Sequence, residues 1–161
     1  MRSKYLIAVS AAVGLCLVPA RADEIPKEAL KVLNGAKQFE LYSLDPNEDE
    51  RVKDGFHEWK ILGKLIVTEA DVRKKLGEAL TDGIKNAPER GRKCFNPRHG
   101  IRVVADSKTF DFVICYECRW VQIYSGNKHI KTCLTASEQQ GVLDKVLKDA
   151  KVPLPKPARH Q

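Results

Sequence analysis

The sequence lacks the short motifs that identify many enzymes directly. It contains neither a G-x-S-x-G nucleophile elbow nor a glycine-rich phosphate loop. His57 has no second histidine at helical spacing, which excludes a zinc-protease motif. Arg119 stands where haem attachment to a Cys-x-x-Cys pair requires a histidine. No reaction is therefore predicted from a named signature.

The sequence also lacks an apolar segment long enough for a permanent membrane span. The apolar run over residues 6–17 is too short for a helix that crosses a bilayer. It follows Arg2 and Lys4 and precedes the small-x-small site Ala20-Arg-Ala22, an arrangement typical of an export signal. We predict a signal peptide over residues 1–22, cleaved after Ala22, and an exported protein that is periplasmic or secreted.

A strong excess of one charge is missing from the rest of the chain, where basic and acidic residues are mixed. Nucleic-acid-binding proteins tend to concentrate basic residues on one face, so we expect no nucleic-acid partner. The clearest basic cluster is residues 90–93, with Arg98 and Arg102 nearby. We interpret Arg98 and Arg102 as a candidate anion-binding pair.

Apolar periodicity predicts one α+β domain over residues 23–151. Adjacent strands joined by short turns favour an antiparallel sheet of about five strands, and two main amphipathic helices are expected to pack on one face. Capping boxes at Thr68 and Thr135 mark the starts of these helices. The proline-rich tail, residues 152–161, is expected to be disordered. The predicted order is α-β-β-α-β-β-β-α, with helices over 24–35, 68–86 and from 135, and strands over 38–44, 57–67, 101–105, 109–114 and 120–124.

Cysteines concentrate between Cys94 and Cys118, a stretch that also contains Cys115, and Cys133 follows it. Four of the five cysteines remain after the predicted cleavage, which removes Cys16, and an even number in an exported chain favours disulfides. Two disulfides would join Cys94 to one member of the Cys-x-x-Cys pair and Cys133 to the other. A continuous strand through that pair would place its Cα atoms about 10 Å apart, too far to bridge each other.

The same stretch also fits a metal site. Cys94, His99, Cys115 and Cys118 supply three thiolates and one imidazole, a Cys3His set suited to tetrahedral zinc. Soft thiolates would also suit cuprous copper. Two cysteines of a Cys-x-x-Cys pair can bind one metal ion only if the chain turns tightly between them. No glycine or proline lies between Cys115 and Cys118 to make such a turn easy.

Two further interpretations involve reactions. Thiol redox chemistry would use Cys115 and Cys118, but a strand-like segment follows them, whereas reactive cysteines usually begin a helix. Alternatively, Arg98, His99 and Glu117 could clamp an acidic substrate and exchange protons with it. Nothing in their spacing requires this arrangement, so an enzyme is the less expected outcome.

The segments Cys94-Phe-Asn-Pro-Arg-His-Gly100 and Asp111-Phe-Val-Ile-Cys-Tyr-Glu-Cys118 together resemble an uncharacterised family of exported bacterial proteins of planctomycete type. The resemblance covers most of the chain after the signal, and it implies export and a shared fold but no activity. We therefore expect a disulfide-stabilised binding or structural protein, with a Cys3His metal-binding domain as the alternative and an enzyme or thiol redox protein third.

Overall fold

The predicted α+β class is confirmed by the computed structural model, which describes residues 24–156. These residues contain three α-helices and an antiparallel sheet of six strands. The predicted signal peptide and the last five residues of the predicted tail lie outside the described range. In chain order the elements are α1 (Lys27–Asn34), β1 (Gln38–Leu44), β2 (Ile61–Ile66), α2 (Ala70–Lys85), β3 (His99–Ala105), β4 (Lys108–Cys115), β5 (Trp120–Ser125), β6 (Lys128–Leu134) and α3 (Gln140–Asp149).

The strands lie in the order β2-β1-β3-β4-β5-β6, and every neighbouring pair is antiparallel. Short turns join the last four strands. Asp106 and Ser107, with φ values of 50° and 61°, form the two-residue turn between β3 and β4. Gly126, with φ of 57°, lies in the turn between β5 and β6, where its missing side chain makes this conformation easy.

One face of the sheet, here called the helix face, packs against all three helices. Phe110, Phe112 and Ile114 of β4 point to this face, as their alternate spacing predicts. Burying each such side chain contributes roughly 1.5–3 kcal/mol, so this core is the main source of stability. The helix residues buried against it are Ala29, Val32, Leu33, Leu76, Ala79, Leu80, Ile84, Leu143 and Leu147.

The opposite face, here called the open face, is covered only in part by two loops. Phe56 and Trp59, from the loop between β1 and β2, form a second apolar cluster with Val113 of β4, and Phe95 from the loop before β3 packs against it. Gly100 makes this possible because a Cβ at that position would lie 2.5 Å from the ring of Phe56. The uncovered part of the open face carries polar and charged side chains such as Glu40 and Lys64, together with the exposed Ile66.

The strands of the structure match the predicted ones roughly and differ from them in two places. The structure contains six strands where about five were expected, because Lys128–Leu134 forms β6. This segment is an exposed and mostly polar edge strand, so it carries little of the apolar alternation that identifies a strand. The strand predicted over residues 57–67 begins only at Ile61, because His57 and Glu58 have φ values of 52° and 71° and form a turn.

The predicted helix starts and the tail also differ from the structure. The residue before α2 is Glu69, which makes no side-chain capping bond, and α3 begins at Gln140, five residues after Thr135. Val152 and Leu154 of the tail pack against the helix-face core. The described part of the tail, residues 152–156, is therefore packed rather than disordered. Within residues 24–156, no helix is long and apolar enough to cross a membrane.

Candidate functional site

The Cys-x-x-Cys pair lies in a hairpin turn and not in a continuous strand. β4 ends at Cys115, residues 116–119 form the turn, and Trp120 pairs with Cys115 as β5 begins. Arg119 takes the left-handed conformation, with φ of 64°, in place of the glycine that would make such a turn easy. The turn brings Cys118 back beside Cys115, and its backbone N–H donates to Cys115 Sγ at 3.1 Å.

The loop before β3 brings a third cysteine to this turn. The backbone N–H of Arg92 donates to the carbonyl of Cys118 at 2.9 Å, and Trp120 Nε1 donates to the carbonyl of Arg92 at 2.7 Å. Gly91 lies against the same indole, since a Cβ there would be 2.4 Å from a ring carbon. These contacts hold Cys94 next to Cys118. We call Cys94, Cys115 and Cys118 the cysteine cluster.

Within the cysteine cluster, Cys118 is the shared neighbour. Its thiol interacts with the thiols of both Cys94 and Cys115. The backbone of Asn96 hydrogen-bonds to Cys115 and to Cys118. Cys115 and Cys118 are fully buried, whereas Cys94 is exposed as a residue. The cluster thus has one sulfur near solvent and two behind it.

All three thiols of the cluster have raised pKa values. Desolvation and the interaction with Cys118 raise the pKa of Cys94 to about 11. Burial and the interaction with Cys115 raise the pKa of Cys118 to about 11, and burial raises that of Cys115 as well. Because the thiolate is the nucleophile, these thiols react slowly at neutral pH. This argues against a fast, thioredoxin-like redox enzyme.

The fourth cysteine and the histidine lie elsewhere. Cys133 is opposite Val121 and belongs to the helix-face core, with Sγ 3.7 Å from the carbonyl oxygen of Glu24. Cys115 follows Ile114 in β4, so its side chain points to the open face. The sheet therefore separates Cys133 from Cys115, so of the two partners predicted for Cys133, Cys115 does not fit the geometry.

His99 also points to the helix face, where it is opposite Ile114, and its Nε2 lies 2.8 Å from Asp144 Oδ1 on α3. It is therefore not a neighbour of the cysteine cluster. Among residues 24–156, no group of three or more His, Cys, Asp or Glu side chains could hold a metal ion. The structure does not assemble the Cys3His set that the spacing suggested for zinc or copper.

The predicted arginine sites are occupied by the protein itself. Arg98 donates through Nη1 to the carbonyl of Lys156 at 2.8 Å, and its Nη2 lies 3.9 Å from Glu117. Arg102 donates to both oxygens of Asp111. Arg98 and Arg102 therefore do not form one anion clamp. Because His99 is fully buried under α3, Arg98, His99 and Glu117 do not converge on one pocket either.

Several polar side chains surround the buried His99. Ser43 of β1 is directly opposite His99, and the ring of Tyr116 lies 5.7 Å from the imidazole. Three buried atoms here have no hydrogen-bond partner among the described residues: Ser43 Oγ, His99 Nδ1 and Tyr116 Oη. Burial opposes ionisation of Asp144, but the hydrogen bond from His99 keeps the pKa of its carboxyl below the ordinary value.

The most organised polar site lies on the open face and was not predicted. Asp111, whose side chain is 1% exposed, accepts hydrogen bonds from Arg102 Nε and Nη2 at 2.8 and 2.7 Å and from His57 Nε2 at 2.8 Å. Burial alone would raise the pKa of Asp111, but the hydrogen bonds from Arg102 and His57 hold it below its ordinary value. The imidazole of His57 stacks on Tyr124, with ring centroids 3.7 Å apart. We call His57, Arg102, Asp111 and Tyr124 the His57 site.

The turn that carries His57 is strained. His57 and Glu58 are the two central residues of a tight turn between Phe56 and Trp59, whose backbones exchange hydrogen bonds of 2.8 and 3.2 Å. Positive φ at both central positions is typical of a type I′ turn, which prefers Asn and Gly. Gly55 is required beside it, because a Cβ there would lie 2.3 Å from the carbonyl oxygen of Trp59.

The fold and these clusters define an α+β domain with a cysteine-bearing hairpin and a polar site on the open face. No family model, no curated protein and no solved structure matches the chain. The resemblance to exported bacterial proteins of planctomycete type therefore stays a prediction.

Proposed function

We propose that the protein is an exported binding domain, stabilised by a disulfide between Cys94 and Cys118, whose ligand binds at the His57 site. The observation that carries the binding role is the strained turn that holds His57 against Asp111. Non-glycine residues in the left-handed region cost roughly 1–2 kcal/mol each, and such strain is concentrated at functional sites. The proposal of export rests on the signal-like N-terminus.

The chemistry of the His57 site indicates the kind of ligand. Ionised Asp111 can only accept hydrogen bonds, so His57 Nε2 carries the proton and, in the neutral ring, Nδ1 accepts. No hydrogen bond to Nδ1 is present among the described residues, and the His57 side chain is 9% exposed, so a ligand would reach this nitrogen only at the edge of the ring. Tyr124 and Gln122 are partly exposed beside it. A hydroxyl-bearing ligand with an apolar face would match these groups.

The disulfide is supported by separate contacts. Cys94 and Cys118 are close enough for Cys118 to raise the pKa of Cys94, and hydrogen bonds of Arg92 fix the loop against the hairpin next to them. A disulfide here would close a loop of about 25 residues, which restricts the unfolded chain far more than a bridge within Cys-x-x-Cys. The raised pKa values of both thiols favour the disulfide, because such thiols are poor leaving groups.

The binding proposal is tested by NMR of the histidine ring nitrogens and the tyrosine ring protons during titration with cellobiose, a hydroxyl-rich probe, and separately with inorganic phosphate. We expect cellobiose to shift the His57 and Tyr124 signals and phosphate to leave them unchanged. Tyr124→Leu should weaken the response, whereas Tyr116→Phe, on the helix face, serves as the matched control. Shifts with phosphate alone, or no shifts at His57 with either probe, would contradict the proposed ligand class.

A further inference from the structure

The number of sulfurs in the cysteine cluster has a chemical consequence. Cys118 interacts with two other thiols, and only one of them can share a disulfide with it at a time. The remaining thiol then lies near the bond, and a thiolate close to a disulfide can attack it. A stabilising disulfide requires only two sulfurs, so the disulfide between Cys94 and Cys118 does not explain the presence of Cys115 beside them.

We propose that the cysteine cluster is a thiol–disulfide exchange site, in which Cys118 pairs alternately with Cys94 and Cys115 and Cys94 reacts with external disulfides. This inference rests on the disulfide included in the proposed function, but not on ligand binding at the His57 site. Its substrate class is a small or exposed disulfide, because only Cys94 is accessible from solvent.

The exchange proceeds in three balanced steps. The Cys94 thiolate attacks an external disulfide RSSR, forming a mixed disulfide with Cys94 and releasing RS⁻, which takes up a proton. The Cys118 thiolate then attacks the Cys94 sulfur, forming the disulfide between Cys94 and Cys118 and releasing the second RSH. Finally, the Cys115 thiolate attacks the Cys118 sulfur, which forms the disulfide between Cys115 and Cys118 and frees Cys94. RSSR is the oxidant, and the last step involves no net oxidation.

The surroundings of Cys115 and Cys118 suit this sequence. The N–H of Cys118 donates to Cys115 Sγ at 3.1 Å, and the backbone of Asn96 hydrogen-bonds to both sulfurs. These hydrogen bonds act in favour of the thiolate forms, but burial outweighs them, so the pKa values of both thiols stay raised. The raised pKa values of the thiols make the exchange slow at neutral pH, within the seconds-to-hours range of uncatalysed reshuffling.

The exchange is tested with the full-length protein, reduced and then incubated with oxidised glutathione, followed by tryptic digestion and mass spectrometry. Trypsin places Cys94 in the peptide of residues 94–98, and Cys115 with Cys118 in that of residues 109–119. The first disulfide therefore links two peptides, whereas the second closes a ring within one peptide. We expect both species in the wild-type protein, in a ratio that becomes constant once the exchange between them has reached equilibrium.

Single variants separate the steps. Cys118→Ser should accumulate glutathione on Cys94, because the resolving thiol is lost, and Cys94→Ser should react at least tenfold more slowly. Cys115→Ser should give only the linked peptides, and Cys133→Ser should behave as the wild type does. Exclusive formation of the Cys94–Cys118 disulfide in the wild type would overturn the exchange but support the proposed stabilising disulfide. Exclusive formation of the Cys115–Cys118 disulfide would overturn both, and the wild-type measurement decides even if a variant fails to fold.

Discussion

His57 Nε2 lies 2.8 Å from Asp111 Oδ2, although 54 residues separate these two positions in the chain. The contact joins the loop between β1 and β2 to the centre of the sheet. It depends on a strained turn at His57, on Gly100 beneath Phe56, and on the ion pair between Arg102 and Asp111. The His57 site is therefore held by elements that are distant in sequence.

The first prediction concerns Asp111. Asp111→Ala leaves the half-exposed Arg102 without its partner and removes the acceptor for His57, so we expect unfolding to become easier by about 3 kcal/mol. Urea denaturation at pH 7 measures this change. Lys37→Ala, which removes the exposed ion pair with Asp106, is the control and should cause no clear loss. Equal losses of stability in the two variants would show that the hydrogen bonds to Asp111 contribute little to the free energy of unfolding.

The second prediction concerns acid. The folded-state pKa values of Asp111 and Asp144 lie below their ordinary value of 3.8. A depressed carboxyl pKa contributes stability above the ordinary value, and this contribution is lost as the pH falls through the folded-state pKa. Stability should therefore decline steeply as the pH is lowered below about 4. Asp111→Asn should flatten that decline, and an identical pH profile for wild type and variant would refute the assignment.

The fold was largely readable from the sequence, whereas the His57 site was not. The alternation of Phe110, Phe112 and Ile114 reports burial on one face, and burial is a local property of the pattern. In the same strand, Asp111 lies between two apolar residues, as an ordinary solvent-facing polar residue would. Its buried ion pair therefore could not be predicted from the pattern. His57 also continued an apparent strand pattern, and only the tertiary contacts show that Gly55 and the positive φ of His57 end it.

For the cysteines too, only part of the site could be predicted from the sequence. Their spacing predicted a cluster of Cys94, Cys115 and Cys118, and it also suggested His99 as a fourth member. His99 is the first residue of β3, and side chains alternate between the two faces along a strand. Pairing with Ile114 sends His99 to the helix face. The missing signal was the register between β3 and β4, which sequence spacing within one segment does not contain.

The third prediction concerns the strained turn. Glu58→Gly should stabilise the protein by about 1 kcal/mol, because glycine adopts the φ of 71° without steric cost. Gly55→Ala should be strongly destabilising, since its Cβ would lie 2.3 Å from the carbonyl oxygen of Trp59. Thermal unfolding of both variants provides the comparison. A loss of stability in Glu58→Gly would mean that the turn is not strained.

The fourth prediction concerns the buried polar group around His99. Tyr116 Oη and Ser43 Oγ have no hydrogen-bond partner within residues 24–156, so Tyr116→Phe and Ser43→Ala should leave stability unchanged or slightly higher. His99→Ala should cost about 3 kcal/mol, because it removes a buried ring and the partner of Asp144. Chemical denaturation of the three variants tests the contrast. A loss above about 1 kcal/mol for Tyr116→Phe would instead indicate a buried water bound to its hydroxyl.

The last prediction concerns the reactivity of Cys94. Its pKa of about 11, against an ordinary 9.0, lowers the thiolate fraction near pH 8 by roughly 100-fold, so iodoacetamide should modify it slowly despite its exposure. The rate, followed on the reduced protein through the peptide of residues 94–98, should rise until about pH 11. Because Cys118 contributes to this shift, Cys118→Ser should move the midpoint to lower pH. A wild-type midpoint at or below pH 9 would show that Cys94 is not held against Cys118 in the folded protein.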